Sequence, residues 1–143
     1  MEYKVFGNDI CLRVDPGEAV IKTIIEVCEK LNISCADFSG IGGCESAIVK
    51  VFDPKIKDFG EAEYNGMLEM ISLNGNLTSD GGKPYVHAHA IFAYIDGNGN
   101  HAYAGGHLGE TVVKLTAEIV IRPISGNIGR QYKEELGIKT WKL

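Results

Sequence analysis

The stretch Tyr85-Val86-His87-Ala88-His89-Ala90-Ile91-Phe92-Ala93-Tyr94-Ile95-Asp96-Gly97-Asn98-Gly99-Asn100-His101-Ala102-Tyr103-Ala104-Gly105-Gly106-His107-Leu108 reads as two strands and the turn that joins them. Its centre, Asp96 to Asn100, is made of residues that accept the positive backbone angles of a tight reversal. If the chain reverses about Asn98, residues whose numbers sum to 196 face each other, which sets His107 opposite His89 and diagonal to His87. Residues i and i+2 of a strand share a face, so the three imidazoles would form one patch with the makings of a three-nitrogen metal site. A slip of one residue would turn His107 to the other face, and the Gly105-Gly106 pair is a natural place for a bulge that causes or corrects such a slip. His101, beside the turn, is expected to be exposed.

Outward from this hairpin, the sequence is dominated by period-two, β-branched and apolar runs: Ile33 to Phe38, Ser46 to Phe52, Tyr64 to Leu77, Val86 to Ile95 and Val112 to Arg122. Glycine-rich breaks are expected at Ser39-Gly40-Ile41-Gly42-Gly43, Asn74-Gly75-Asn76 and Gly81-Gly82. Before them, Tyr3 to Val14 predicts an edge hairpin turning at Gly7-Asn8-Asp9. Asp15-Pro16-Gly17-Glu18 then opens the one principal helix, about residues 17–31, with Asp15 as its cap. In this helix Val20, Ile24, Val27, Cys28 and Leu31 make one apolar stripe that packs on a sheet. After the last long strand, Arg130 to Gly137 suggests a short helix and Ile138 to Leu143 a final strand anchored by Trp141. The expected class is α+β, mostly antiparallel sheet.

The chain has 143 residues, 45% of them hydrophobic, which suits a single domain over 1–143 with a real core. A net charge of −5 with scattered cations offers no basic stripe for nucleic acid. Neither a signal peptide nor a membrane-length apolar run is visible, and a cytoplasmic protein with no membrane partner is expected. Cys11, Cys28, Cys35 and Cys44 lack metal or redox spacing and read as reduced core residues. The Ser39 to Gly43 segment connects strand to strand and lacks a Gly-Lys-Ser/Thr ending, which speaks against a phosphate loop.

Three neutral imidazoles hold zinc at about 2.0–2.1 Å and leave a fourth position for water, so a divalent metal, first of all zinc, is the expected cofactor of His87, His89 and His107. Nickel, iron(II) or copper suit the same ligands. The competing reading makes the histidines hydrogen-bonded parts of a sheet or subunit seam. Catalysis would need further groups. Glu69, in the apolar run Met67-Leu68-Glu69-Met70-Ile71, is one candidate, since a carboxylate there is costly unless exposed or paired. Its alternative is a strand residue facing outward. Glu45 and Glu110 are expected in loops. Arg122 would pair with an acid or a substrate carboxylate, or stand solvated ahead of Pro123.

In order, Asn65-Gly66-Met67-Leu68-Glu69-Met70-Ile71-Ser72-Leu73-Asn74-Gly75, His87-Ala88-His89 and Gly105-Gly106-His107-Leu108 resemble the PPC domain, the plant and prokaryote conserved domain. The resemblance extends from the opening helix to the Val112 to Pro123 strand. It implies a compact antiparallel sheet with one main helix, assembled as a homotrimer. Plant members join this domain to AT-hook motifs that bind DNA. Here no Arg-Gly-Arg-Pro hook is present, and the plant Gly-Arg-Phe-Glu-Ile-Leu segment is Gly66-Met67-Leu68-Glu69-Met70-Ile71, without its arginine and aromatic. DNA binding is thus a family expectation that the charge does not support. The histidine triad also resembles, more distantly, the zinc site of acetolactate decarboxylase, carried over onto His87, His89 and His107 only. Two functions follow as expectations: a metal-binding regulatory or interaction module, or a metal-dependent lyase or hydrolase acting on a small carboxylated metabolite, with Glu69 or Arg122 assisting.

Overall fold

The computed structural model describes residues 1–143. Strands β1 (Glu2–Phe6) and β2 (Asp9–Val14) form the edge hairpin, helix α1 (Val20–Lys30) follows, and four long strands come next: β3 (Ala36–Asp53), β4 (Asp58–Asp80), β5 (Lys83–Ile95) and β6 (His101–Pro123). A small C-terminal hairpin, β7 (Gly129–Lys133) and β8 (Ile138–Lys142), completes the chain. All pairings between strands are antiparallel, and the main sheet runs β1-β2-β6-β3-β4-β5, with β5 returning to β6.

That return closes β3 to β6 on themselves, and β6 makes it possible by changing partners along its length. One edge of β6 bonds β5 through His101–His107 and later β2 through Ala117–Ile121, while its other edge bonds β3 from His107 onward. His107 therefore sits where both edges are engaged, opposite His89 on one side and Lys50 on the other. Inside, Phe38, Leu68, Met70, Leu73, Phe92 and Ile119 are almost wholly buried. Removing such side chains from water at about 25 cal/mol per Å² is the main stabilising term.

Helix α1 seals this core with Val20, Ile24, Val27 and Cys28 of the expected stripe, while its fifth member, Leu31, is the half-buried residue that ends the helix. Its start differs from expectation. Ala19, not Asp15, is the capping residue and makes no side-chain cap bond, while Glu18 accepts the Asp15 backbone N–H at 2.9 Å. The C-terminus closes on Asn32 at φ +55°, with Ile33 N–H bonding the Cys28 carbonyl at 2.8 Å and Asn32 N–H the Glu29 carbonyl at 3.1 Å. These are the paired bonds of a left-handed helix stop.

Other expectations are corrected. The glycine-rich segments Ser39-Gly40-Ile41-Gly42-Gly43 and Asn74-Gly75-Asn76 lie inside β3 and β4 and do not break them. A Cβ on Gly75 would stand 2.4 Å from the Phe38 ring, and one on Gly40 2.6 Å from the Glu118 carbonyl oxygen. Those glycines mark close approach, not reversal. Glu45 and Glu110 are exposed strand residues, not loop residues. The segment expected to be helical at Arg130 is strand β7, and the helical tendency amounts to one turn, with Leu136 and Gly137 N–H both bonding the Lys133 carbonyl. Cys28, Cys35 and Cys44 are buried and free as expected, but Cys11 is exposed.

Candidate metal centre

The turn that builds the site is tied down by Asp96. Its Oδ1 accepts N–H bonds from Asn98 at 2.8 Å and Asn100 at 2.9 Å, which hold its carboxyl below the usual carboxylate range. Gly99, at φ +83°, completes the reversal. From there the register runs unshifted from Ile95 opposite His101 to His89 opposite His107. The expected pairing about Asn98 is the one observed.

His87 and His89 of β5 and His107 of β6 project from the same outer face, with ligand-capable atoms all within 4.8 Å of one another. Ring centroids are 4.1 Å apart for His89 and His107, 4.9 Å for His87 and His107, and 5.2 Å for His87 and His89. The Nε2 atoms of His87 and His89 are 3.3 Å apart. Two nitrogens bound tetrahedrally to zinc at about 2.05 Å stand about 3.3–3.4 Å from each other, so this pair already has the ligand spacing. Partial burial and the neighbouring histidines push the His87 and His107 pKa values down, which favours the neutral rings that ligate metals. The donor set fits a divalent transition metal.

Two hairpins flank the triad. At the far end of β3 and β4, Phe59 meets His107 edge to face with centroids 4.7 Å apart, and Phe52 in turn meets Phe59 at 5.5 Å. On the other side lies the C-terminal hairpin. Asn76, opposite His87, and Thr78, opposite Tyr85, share the outward face with the histidines. Arg130 of β7 reaches over them: its Nε donates to Thr78 Oγ1 at 2.8 Å and its Nη2 to Asn76 Oδ1 at 2.6 Å, and its guanidinium lies 4.5 Å from the Tyr85 ring centre. Trp141 of β8 donates its indole N–H to the same Asn76 oxygen at 3.3 Å. Beyond His89 the face continues as a groove of about 470 Å³ between Ser72, Asn74, Ile91, Tyr103 and Gly105.

The remaining candidates lie elsewhere. Glu69 is an exposed β4 residue between Gly43 and Ala93, five residues along the strand from Asn74, the partner of His89; at about 3.3 Å per residue this is ~16 Å. Arg122 is at the other end of β6, 3.6 Å from the Asp37 carboxylate and 3.8 Å from that of Asp9. His101 is exposed beside the turn. Neither Glu69 nor Arg122 joins the triad. Arg130, Asn76 and Tyr85 do adjoin it, and sequence reading passed them over. Arg130 lies beyond the resembling motifs, and nothing local in Gly126-Asn127-Ile128-Gly129-Arg130 announces where a separate hairpin will dock.

Comparison with known proteins agrees with this architecture. The family model described as the Plants and Prokaryotes Conserved (PCC) domain matches residues 1–125. A metal-containing protein from Archaeoglobus fulgidus is similar over 99% of this chain and 97% of its own, at 31% identity and a TM-score of 0.86. A protein from Ralstonia eutropha, named for DNA binding by assignment only, is similar over 99% and 95%, at 25% identity and a TM-score of 0.86. The α-acetolactate decarboxylase of Bacillus subtilis shares the fold at 16% identity and a TM-score of 0.58, over 87% of this chain and 56% of the enzyme. No curated protein matches in sequence.

Proposed function

The chain belongs to the Plants and Prokaryotes Conserved domain family, and from that premise we propose that it is a single-domain homotrimer holding a divalent metal, zinc by preference, through His87, His89 and His107, and acting as a regulatory or interaction module. The observation that carries the metal is the convergence of three imidazoles on one face, with the His87 and His89 Nε2 atoms at ligand spacing. The metal-containing relative from Archaeoglobus fulgidus supports the same reading. Metal analysis of protein purified without a histidine tag tests it, with about one metal per chain expected. A metal-free preparation that also fails to take up added zinc would sink it.

The trimer is supported by an apolar strip on the outer face: Ile41, Ile71, Ile91 and Tyr103 are each roughly half exposed or more, on neighbouring strands β3 to β6. Four such side chains in contact with water mark an interaction surface. A cytoplasmic setting agrees with four free cysteines, and no helix is long and apolar enough to cross a membrane.

The second reading, a metal-dependent lyase or hydrolase for a small carboxylated metabolite, is favoured by the groove that adjoins His89 and leaves room for a ligand. When bound, the metal would supply Lewis acidity and a bound water of lowered pKa. The chain's own groups would orient the ligand: Asn74 and Ser72 along the groove, and Tyr103 at its end. With Glu69 and Arg122 distant, a proton-transfer group is the missing part of that reading, and the module reading stands first. DNA binding, suggested by the name of the Ralstonia eutropha relative, stands third. Arg13 and Arg122 are each engaged by two carboxylates and the net charge is −5.

A further inference from the structure

We infer that Arg130, carried in by the C-terminal hairpin, is a carboxylate-binding residue of the histidine site. The assignment rests on the triad being the ligand-binding centre proposed above. It adds the residue that would recognise the carboxylate of such a ligand.

The chain has three arginines. Arg13 is bound by Glu2 and Asp15, and Arg122 lies beside Asp9 and Asp37. Arg130 alone has no carboxylate within salt-bridge distance, although it is the most enclosed of the three. Burial pushes its pKa down, and the one carboxylate that acts on it, Asp80, is held by Lys139. Desolvating a guanidinium without an anion is costly, and such groups are retained where a ligand supplies the charge.

The two bonds Arg130 makes are to neutral oxygens, and both lie on one side of the guanidinium. Nε and Nη2 donate to Thr78 and Asn76, which uses the lateral edge and fixes the plane. The Tyr85 ring beneath holds that plane from below. This leaves the terminal edge, with N–H groups on both Nη1 and Nη2, free to meet two oxygens side by side. A carboxylate matches that fork. Asn76, which accepts from Arg130, is the cross-strand partner of His87, so the guanidinium stands beside the triad, near enough for its charge to act on His87. No carboxylate belongs to the triad, so a divalent metal and Arg130 together would leave three positive charges without an internal counter-ion. A small 2-hydroxy or 2-oxo carboxylate satisfies both centres at once, its carboxylate on Arg130 and its second oxygen toward the histidines.

Cobalt(II) suits imidazole ligands and reports them by its visible bands, so the test uses tag-free protein loaded with cobalt(II). Band shifts are followed on titration with lactate, with its neutral isostere lactamide and with inorganic phosphate. Wild type is expected to prefer lactate over lactamide by about tenfold or more, the scale of a bidentate charge-assisted contact. R130Q should lower the preference by about tenfold while leaving cobalt affinity within about twofold. R130K, which keeps the charge but not the fork, should keep only part of it. The same lactate-to-lactamide ratio in wild type and in R130K would overturn the inference, as would phosphate binding tighter than lactate in an Arg130-dependent way. If wild type takes up no cobalt, the metal reading falls. Arg130 is then judged separately by the NMR shifts of its Nη–H groups on lactate addition, where no shift overturns the inference.

Discussion

At the scale of single residues, the site depends on three rings that must be neutral together. His89 bridges the strands, close to both other rings, so His89→Ala should lower zinc affinity by at least about a hundredfold, beyond what loss of a mere supporting partner causes. Competition with a chelating dye measures it. His87 and His107 predict an acid response of the metal-free protein. The pKa values of His87 and His107 are pushed below the ordinary 6.5 by partial burial first and by neighbouring charges second. Below 6.5 the unfolded chain binds protons that the folded chain resists, so stability falls as pH drops from 6.5 through the lowered folded values, and these groups add no slope above it. Urea midpoints between pH 8 and pH 5 should show this fall, and His107→Gln should flatten part of it. The thiols give a further check. Burial pushes Cys28 and Cys44 up to about 11, and Cys35 is buried too, so a disulfide-exchange dye should leave all three unlabelled until the protein unfolds. The exposed Cys11 is the one that sequence reading misplaced. Alternation along Asp9–Val14 sends Ile10, Leu12 and Val14 inward and Cys11 out, and a cysteine's type does not reveal its phase.

At the scale of elements, the central hairpin was readable because its information is local. A turn-forming centre fixed which residues face each other, and the i, i+2 histidines then had one possible side. The ends of the long strands were not readable, since the reason for each glycine lies in another strand. Gly106 illustrates this. A Cβ there would stand 2.5 Å from the Lys50 carbonyl oxygen, on the strand that bonds the other edge of β6. Only glycine lets β3 and β5 both reach β6 beside His107. Gly106→Ala should therefore cost about 1–3 kcal/mol, the range for an overpacked site, seen as a melting temperature lower by several degrees. Because the clash is adjacent to His107, metal affinity should fall in the same variant. An unchanged melting temperature would mean that the strands part there without cost. The C-terminal hairpin was unreadable for a related reason: Arg130 has a role only after β7 has docked on β4, where Ser79 N–H bonds the Ile128 carbonyl at 3.1 Å.

At the scale of the whole molecule, the closed arrangement of β3 to β6 turns the apolar alternation of each strand into an inside, leaving the outer face to decide what the protein meets. That face is not uniformly polar. Ile41, Ile71, Ile91 and Tyr103 cross four strands as one strip, continuous with the groove that opens beside His89. If copies of the chain cover this strip, the groove becomes a cavity at a subunit boundary, and the metal centre borders the interface instead of facing open solvent. Assembly and ligand binding are then coupled, because anything that opens the interface also wets the site. Ile91→Glu places a charge in the middle of the strip, where an unpaired buried carboxylate is strongly disfavoured, and leaves the folded monomer able to keep it in water. Light scattering should register a trimer for the wild type and a monomer for Ile91→Glu, with melting temperature changed much less than assembly. Zinc should still bind the variant, since all three ligands come from one chain, but the preference for a carboxylate ligand should weaken as solvent enters the groove. A wild type that scatters as a monomer at every concentration would separate the strip from self-association and leave it to a partner of another kind.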